Sequence, residues 1–301
     1  MTRGGPRLLQ GATVAGEIRA QVKKDVLAFK RRQGYAPTLA VVMVGSDAPS
    51  AVYLQQILRS CRNVGIHGRL VEIPGRVSAA ALRNRIAELN DDPLVAGIIV
   101  QMPLPKRIPL SAVTDTLDPA KDIDGIHPLN AGRLELGHPG FMPTTAQAAV
   151  ELLKRSDIAL EGRRAVVVGR SNVVGKPAAI LLLRENATVT VCHSRTRDLA
   201  AETRRAEVLV VAVGKPGLID GGMLKRGAVV VDIGINVVGE RIVGDVDFES
   251  AKGVVSAITP VPGGVGPVTN ALLLTHLMRA ATDQAAQTST PRRRLRQAAH
   301  H

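Results

Sequence analysis

Short, uninterrupted apolar runs alternate along this chain with stretches in which apolar positions recur every three or four residues. Val14, Ile18, Val22, Val26, Leu27 and Phe29 have the second spacing, which predicts an amphipathic helix over 12–33 that Gly34 and Pro37 end. LAVVMVG (39–45) has the first: a run apolar at every position and closed by glycine predicts a strand buried on both faces of a parallel sheet. Residues 70–73 and VAGIIVQMP (95–103) repeat it, with helical patterns near 50–64 and 79–90 between them. Strand and helix in alternation is the pattern of an α/β fold, in which helical crossovers join parallel strands.

The alternation then restarts. A helix-like segment, AQAAVELLKR, follows Thr145 and leads through Gly162 into RAVVVG (164–169), ATVTVC (187–192), EVLVVAVG (207–214) and GAVVVDIG (227–234). The expectation is therefore two α/β lobes, 1–144 and 145–270, followed by an apolar helix over 271–283 that can return to the first lobe. Residues 284–301 (QAAQTSTPRRRLRQAAHH) read as a disordered basic tail.

Composition narrows the classes. With 301 residues, 45% of them hydrophobic, the chain can bury one or two ordinary cores, which excludes a disordered or fibrous protein. The 39 Lys and Arg against 26 Asp and Glu leave +13, part of it crowded into Arg292, Arg293, Arg294 and Arg296. Such a surplus suits phosphate- or carboxylate-bearing ligands. Aromatic residues at 2% and no Trp argue against a stacking-based nucleic-acid binder, so no nucleic-acid partner is expected. Cys61 and Cys192 lack CxxC spacing and nearby His pairs, so neither a disulfide framework nor a metal site is expected, and a reducing cytoplasm fits best. An apolar leader region and an 18-residue apolar window are both missing, so export and membrane insertion are not expected.

One turn carries specific chemistry. RAVVVGRSNVVGKP (164–177) is a strand running into Gly169, with Gly175 opening an Ala/Ile/Leu-rich helix. Gly169 lets the backbone approach a pyrophosphate that the helix N-terminus stabilises, with Arg170 and Ser171 inside the turn. The spacing is not G-x-G-x-x-G, so a mere tight strand-to-helix turn stays open. A P-loop is rejected because Pro177 follows Lys176, leaving no hydroxyl for Mg²⁺. The next strand ends in CHSRT (192–196), without the acid that holds the ribose of NAD. Ser194, Arg195 and Arg170 can bind a 2′-phosphate instead, so NADP is the expected cofactor.

Four further segments join these: VGSDAPSAVYL (44–54), VQMPLP (100–105), KDIDGIHPLNAGRL (121–134) and TPVPGGVGPVT (259–269). With GRSNVVGKP and VAVGKPG (211–217), and in this order over residues 8–281, they resemble the bifunctional methylenetetrahydrofolate dehydrogenase/cyclohydrolase (FolD) family. The resemblance implies two α/β lobes around a cleft, the second a Rossmann-like NADP-binding domain, with tetrahydrofolate derivatives as substrates and a homodimer as the assembly. Carried over by position, it implies Ser50, Tyr53, Gln101 and Asp124 at the folate, the last three catalytic, with Pro262, Gly263 and Gly264 in the loop closing the pterin end. Gly214 and Ile235 join the cofactor set. A carboxylate such as Asp124 can pair with pterin N–H donors, and Tyr53 offers an aromatic face to the aminobenzoyl ring. Asp122 competes with Asp124 for that role, simple helix packing competes for Tyr53, and a backbone partner competes for the Gln101 amide.

One position departs from the family. Four residues beyond the Tyr, on the same helical face, the family carries a lysine; here Ile57 stands there. Arg59 lies two positions further, on roughly the opposite side, and a guanidinium is a poor proton shuttle. Oxidation of 5,10-methylenetetrahydrofolate chiefly needs positioning, whereas hydrolysis of the methenyl product needs proton transfers. The expected enzyme is thus an NADP-dependent methylenetetrahydrofolate dehydrogenase with weak or absent cyclohydrolase activity. A fully bifunctional enzyme and a silent folate/NADP binder are the alternatives. The family's PCTP reads Pro143-Thr144-Thr145-Ala146 here, and Val268 replaces a Met.

Overall fold

The computed structural model describes the backbone of residues 5–45 and 48–289, and the side chains of those residues other than 48–53 and 288–289. In chain order the elements are β1 (Arg7–Leu8), α1 (Gly11–Gln33), β2 (Thr38–Val44), α2 (Ala48–Val64), β3 (His67–Ile73), α3 (Ala79–Asp91) and β4 (Val95–Val100). Next come α4 (Ser111–Thr114), α5 (Pro128–Glu135), α6 (Thr144–Arg155), β5 (Arg164–Val168), α7 (Gly175–Arg184), β6 (Thr188–Cys192) and α8 (Leu199–Thr203). The last are β7 (Val208–Val211), β8 (Val229–Asp232), β9 (Asn236–Val238), β10 (Arg241–Val243), α9 (Phe248–Ala251), β11 (Ala257–Ile258) and α10 (Val265–Ser289).

Two compact units result, each with its own parallel sheet. The larger comprises the chain up to Ile18 and Asp124–Leu273; the smaller comprises Arg19–Ile123 and the chain from Leu274 onward. The cuts fall inside α1 and α10 and at 123/124, not at the 144/145 expected from the restart of the alternation. The cause is packing: α5 and α6 lie against α7, which joins 124–144 to the larger unit, and the segment closes on itself where Gly125 lies so close to the backbone of Met142 and Pro143 that a Cβ would overlap it.

The larger unit holds six strands in the order β6-β5-β7-β8-β11-β1, every pair parallel. Val166, Val168, Leu209, Val211, Val230 and Ile258 pack with Ile219, Leu224, Val246 and Ala251 to form its core. The inner strands β7 and β8 are buried at every position, which is why the sequence shows them as apolar runs, with Asp232 alone, at the end of β8, departing from the pattern. β9 and β10 form a separate antiparallel hairpin between β8 and α9 that apolar periodicity does not announce.

In the smaller unit the order is β3-β2-β4, with Val41 opposite Leu70 on one side and Ile99 on the other. Gly97 gives this sheet close cover: a Cβ there would meet Ile123 Cγ2 at 2.6 Å and Leu277 Cδ1, on α10, at 2.8 Å. Helix α10 starts at Val265, earlier than 271, and continues to Ser289, with Gln284 Nε2 donating to Ala96 O at 2.8 Å. The start of the expected tail is therefore helical over 284–289, because an amide there finds a strand carbonyl. Residues 290–301 lie outside the described ones. Leu27, expected on the apolar stripe of α1, is half exposed: Val22, Val26 and Phe29 define the buried face and Leu27 falls beside it.

Candidate functional site

Where crossovers leave a parallel sheet on opposite sides, the outgoing loops diverge and open a crevice at the strands' C-terminal ends. In the larger unit the chain steps from β5 outward to β6 and returns past β5 to β7, so the crevice lies between the loops after Val168 and Val211. Gly169 has φ +133°, and a Cβ on it would overlap the Ala212 carbonyl of the opposite loop. A Cβ on Gly175 would overlap the Gly169 carbonyl. These two glycines let the strand end, the turn and the start of α7 close on one another, with the positive end of the helix at the crevice. Ser171 Oγ accepts from the amides of Val174 at 3.1 Å and Gly175 at 3.3 Å, so this hydroxyl shapes the turn.

Beyond β6 the His193 amide donates to Thr196 Oγ1 at 2.9 Å and the Arg195 amide to His193 Nδ1 at 3.1 Å. This compact turn leaves the side chains of Ser194 and Arg195 exposed, as is that of Arg170. The cradle without Cβ atoms and the exposed cations after β5 and β6 fit a dinucleotide carrying a further phosphate. Gly214, at φ +65°, is exposed in the loop after β7; Ile235, 69% exposed, leads into the β9–β10 hairpin.

Two residues that motif reading passes over organise this crevice. Asp245, fully buried, accepts from the amides of Val213 at 2.6 Å and Gly214 at 2.9 Å through Oδ2. Its Oδ1 accepts from the Lys215 amide at 2.8 Å and from Asn236 Nδ2 at 2.9 Å. Asp232 accepts from the amides of Gly234 at 2.9 Å, Asp245 at 3.0 Å and Val246 at 2.9 Å. Burial, outweighing these amides, raises its pKa to about 6, and the neighbouring Asp245 adds to the rise. Each carboxylate has a glycine against it: a Cβ on Gly234 would overlap Asp245, and one on Gly244 would overlap Asp232. The available signal was Gly-Asp-Val-Asp at 244–247, acids interleaved with small and apolar residues.

The same unit holds Asp124 and the 259–264 loop. Asp124 is half-buried and accepts a hydrogen bond from Thr144 Oγ1, at the start of α6, which the close approach of Gly125 to Met142 and Pro143 makes possible. Its competitor Asp122 is fully buried and bridges to Ile98 in the smaller unit. Pro262 and Gly263 are exposed; Gly263 has φ +112° and its carbonyl accepts from the Gly11 amide at 2.9 Å. Gly264 is buried, with no room for a Cβ between Thr259 and Pro260 O. Thr259 Oγ1 in turn accepts from the Asp232 amide at 2.8 Å, so the loop is tied to the end of β8.

In the smaller unit Ser50 and Tyr53 fall on the first turns of α2, and their side chains lie outside the described ones. Ile57 on the same helix is 1% exposed, whereas Arg59 is exposed. Cys61, one turn beyond Ile57, is a free thiol whose pKa burial pushes up to about 12. Gln101 follows β4: its amide donates to Val42 O at 2.8 Å, and its half-buried side chain donates through Nε2 to Met102 O at 3.3 Å. Two buried bases of this unit are committed to carbonyls. Lys121 Nζ donates to Leu89 O at 3.3 Å, Asn90 O at 2.6 Å and Asp92 O at 2.8 Å, which uses all three ammonium donors, and burial lowers its pKa. His276 Nδ1 lies 2.7 Å from Ile123 O, and burial lowers its pKa to about 4. Among the described residues, no cluster suits a metal ion and no helix is long and apolar enough to cross a membrane.

Residues 9–124 match the catalytic domain of tetrahydrofolate dehydrogenase/cyclohydrolase, and 143–285 match the NAD(P)-binding domain of the same enzymes. The bifunctional protein FolD of Moorella thermoacetica is 51% identical over 276 residues, covering 91% of this chain and 98% of that protein. Among solved structures, the Campylobacter jejuni FolD methylenetetrahydrofolate dehydrogenase/cyclohydrolase superposes with TM-score 0.89 at 40% identity, over 92% of this chain and 99% of that one. The Trypanosoma brucei dehydrogenase-cyclohydrolase, complexed with NADP cofactor and an inhibitor, gives TM-score 0.90 at 35% identity, over 94% and 99%.

Proposed function

Because the chain belongs to the tetrahydrofolate dehydrogenase/cyclohydrolase family, we propose that it oxidises 5,10-methylenetetrahydrofolate with NADP and hydrolyses the methenyl product weakly or not at all. The observation that carries the second half is an isoleucine, fully buried, at the position where the family resemblance calls for a proton-carrying lysine.

When bound, NADP supplies the hydride acceptor. Gly169, Ser171 and Gly175 hold its diphosphate at the start of α7, while Arg170, Ser194 and Arg195 bind the 2′-phosphate; Gly214 and Ile235 complete the set. Asp124, oriented by the Thr144 hydroxyl, pairs with the pterin, and Pro262, Gly263 and Gly264 close over it. Ser50, Tyr53 and Gln101 hold the rest of the folate. Loss of hydride from the methylene carbon leaves a cation delocalised over the two flanking nitrogens, so residues that orient the substrate suffice for this step.

Ring opening is different. Water adds to the cationic carbon and gives up a proton, and one C–N bond breaks as its nitrogen takes a proton, transfers that a positioned acid/base accelerates by about 10²- to 10⁴-fold. Ile57 can neither donate nor accept, Cys61 is locked as a thiol, and Lys121 is committed to three carbonyls. A second reading, full bifunctionality, is favoured by relatives named bifunctional at about half identity; it requires another proton carrier. A second copy of the chain belongs to the proposal, supported by the outward apolar side chains of Val237, Val238 and Ile242 on the hairpin.

Purified protein mixed with methylenetetrahydrofolate and NADP, with NADPH and the methenyl chromophore followed separately, tests this. Equimolar, persistent methenyl product supports the proposal. Its loss as fast as NADPH forms supports the bifunctional enzyme, and ligand binding without NADPH refutes catalysis.

A further inference from the structure

The loop after β7 is one wall of the crevice at the C-terminal ends of β5 and β7, since Ala212 O abuts Gly169. Within that loop Val213 packs on the core of the larger unit; the polar hold on the loop comes from outside it. Three consecutive amides, those of Val213, Gly214 and Lys215, converge on the Asp245 carboxylate, and the left-handed Gly214 lets them do so. From the outer side Asn236, the first residue of β9, donates to the same carboxylate. Asp232 in turn fixes Asp245 by accepting its backbone amide. The carboxylate thus accepts four donors with two oxygens, in a buried site where Gly234 leaves no spare volume.

We propose that Asp245 is a positioning residue for the dinucleotide: it fixes the 213–215 wall of the crevice and thereby sets dinucleotide affinity, without touching the folate. The proposal rests on the dinucleotide reading given above. Its chemistry permits a sharp test. Asparagine has the shape of aspartate but one acceptor oxygen, so its NH₂ faces either the amides of Val213 and Gly214 or that of Lys215 together with Asn236. Asn236 can turn its own oxygen toward that NH₂, but a backbone amide cannot. At least one buried N–H of the loop is then left against a donor and must separate from it, and the loop moves.

The experiment uses the full chain and the Asp245→Asn variant. NADPH is titrated by fluorescence, amide hydrogen exchange is read at residues 213–215 and in β5, and KM and kcat are measured. The expected result is a dissociation constant for NADPH raised at least tenfold and faster exchange at 213–215 with β5 unchanged. KM for NADP should rise in parallel, with kcat at saturation within twofold. An NADPH affinity within twofold of the parent overturns the proposal, as does equally faster exchange in β5, which marks general destabilisation. If Asp245→Asn does not fold, Asn236→Ala, which removes a single donor at the hairpin base, decides: a two- to fivefold weaker affinity supports the role, and an unchanged one overturns it. A parent protein that binds NADPH but leaves methylenetetrahydrofolate unoxidised refutes the proposed reaction alone, because the affinity comparison still stands. One that binds no dinucleotide overturns both.

Discussion

Replacing Ile57 by lysine puts an amine into a site with 1% exposure on a continuous helix. Burial disfavours the ammonium, lowering a lysine pKa by up to about 3–5 units from about 10.4. The new group then titrates between roughly 5.5 and 7.5, where a proton shuttle works best. The shift also sets a stability cost. A base whose folded pKa is depressed loses stability as pH falls below its unfolded value, at about 1.4 kcal/mol per unit. Titration should therefore cost the variant up to about 4 kcal/mol at pH ~7.5 but only about 1 kcal/mol at pH ~9.5, in addition to a pH-independent cost of about 1.5–3 kcal/mol for the lost isoleucine. Against a total stability of about 5–15 kcal/mol the fold is best retained at the higher pH. Urea melts at the two pH values measure the cost, and decay of the methenyl chromophore, fed without dinucleotide, measures the chemistry. Hydrolysis should rise about 10²- to 10⁴-fold, while Arg59→Lys, on the exposed side of the helix, gains nothing. A folded Ile57→Lys protein that shows the pH-dependent stability gap yet hydrolyses no faster than its parent would refute the assignment of the missing activity to this side chain.

Other perturbations probe separate parts. Gly175→Ala forces a methyl against the Gly169 carbonyl, an overpacking cost of about 1–3 kcal/mol; calorimetry should show NADP affinity down about 10- to 100-fold, by about 1.4 kcal/mol per decade. Thr144→Val removes the hydroxyl that orients Asp124; KM for the folate should rise about tenfold, as for a hydrogen bond to a charged group, with Thr144→Ser restoring it. His276, held neutral with its pKa near 4, contributes stability that is full above pH ~6.5 and lost as pH falls toward ~4, up to about 3 kcal/mol. Denaturant midpoints across that range should fall less steeply for His276→Gln.

Much of this architecture is written in local pattern. β2, β4, β5, β7 and β8 are apolar at nearly every position because both faces are covered, and no turn intervenes to confuse the reading. Gly169 and Gly175 are legible because strand, glycine and helix are adjacent in sequence. The Asp232–Asp245 pair is not. Apart from the Asn236 side chain, its partners are backbone amides of residues 213–215, 234, 245 and 246, and a backbone donor leaves no mark in residue identity. β1 and β11 are two residues each and pair across the whole length of the chain, so no periodicity can reveal them. Ser171 shows a further limit: its position in the turn was readable, but whether the hydroxyl faces a ligand or caps α7 depends on the turn's geometry.

The most direct measurement supplies methenyltetrahydrofolate to the unaltered protein with no dinucleotide present and compares its disappearance with that in buffer alone. A chain lacking the proton carrier at residue 57 should leave the two rates equal within a factor of about ten, since positioned acid/base help is worth about 10²-fold or more. Disappearance a hundredfold faster, abolished by heat denaturation, would contradict the account.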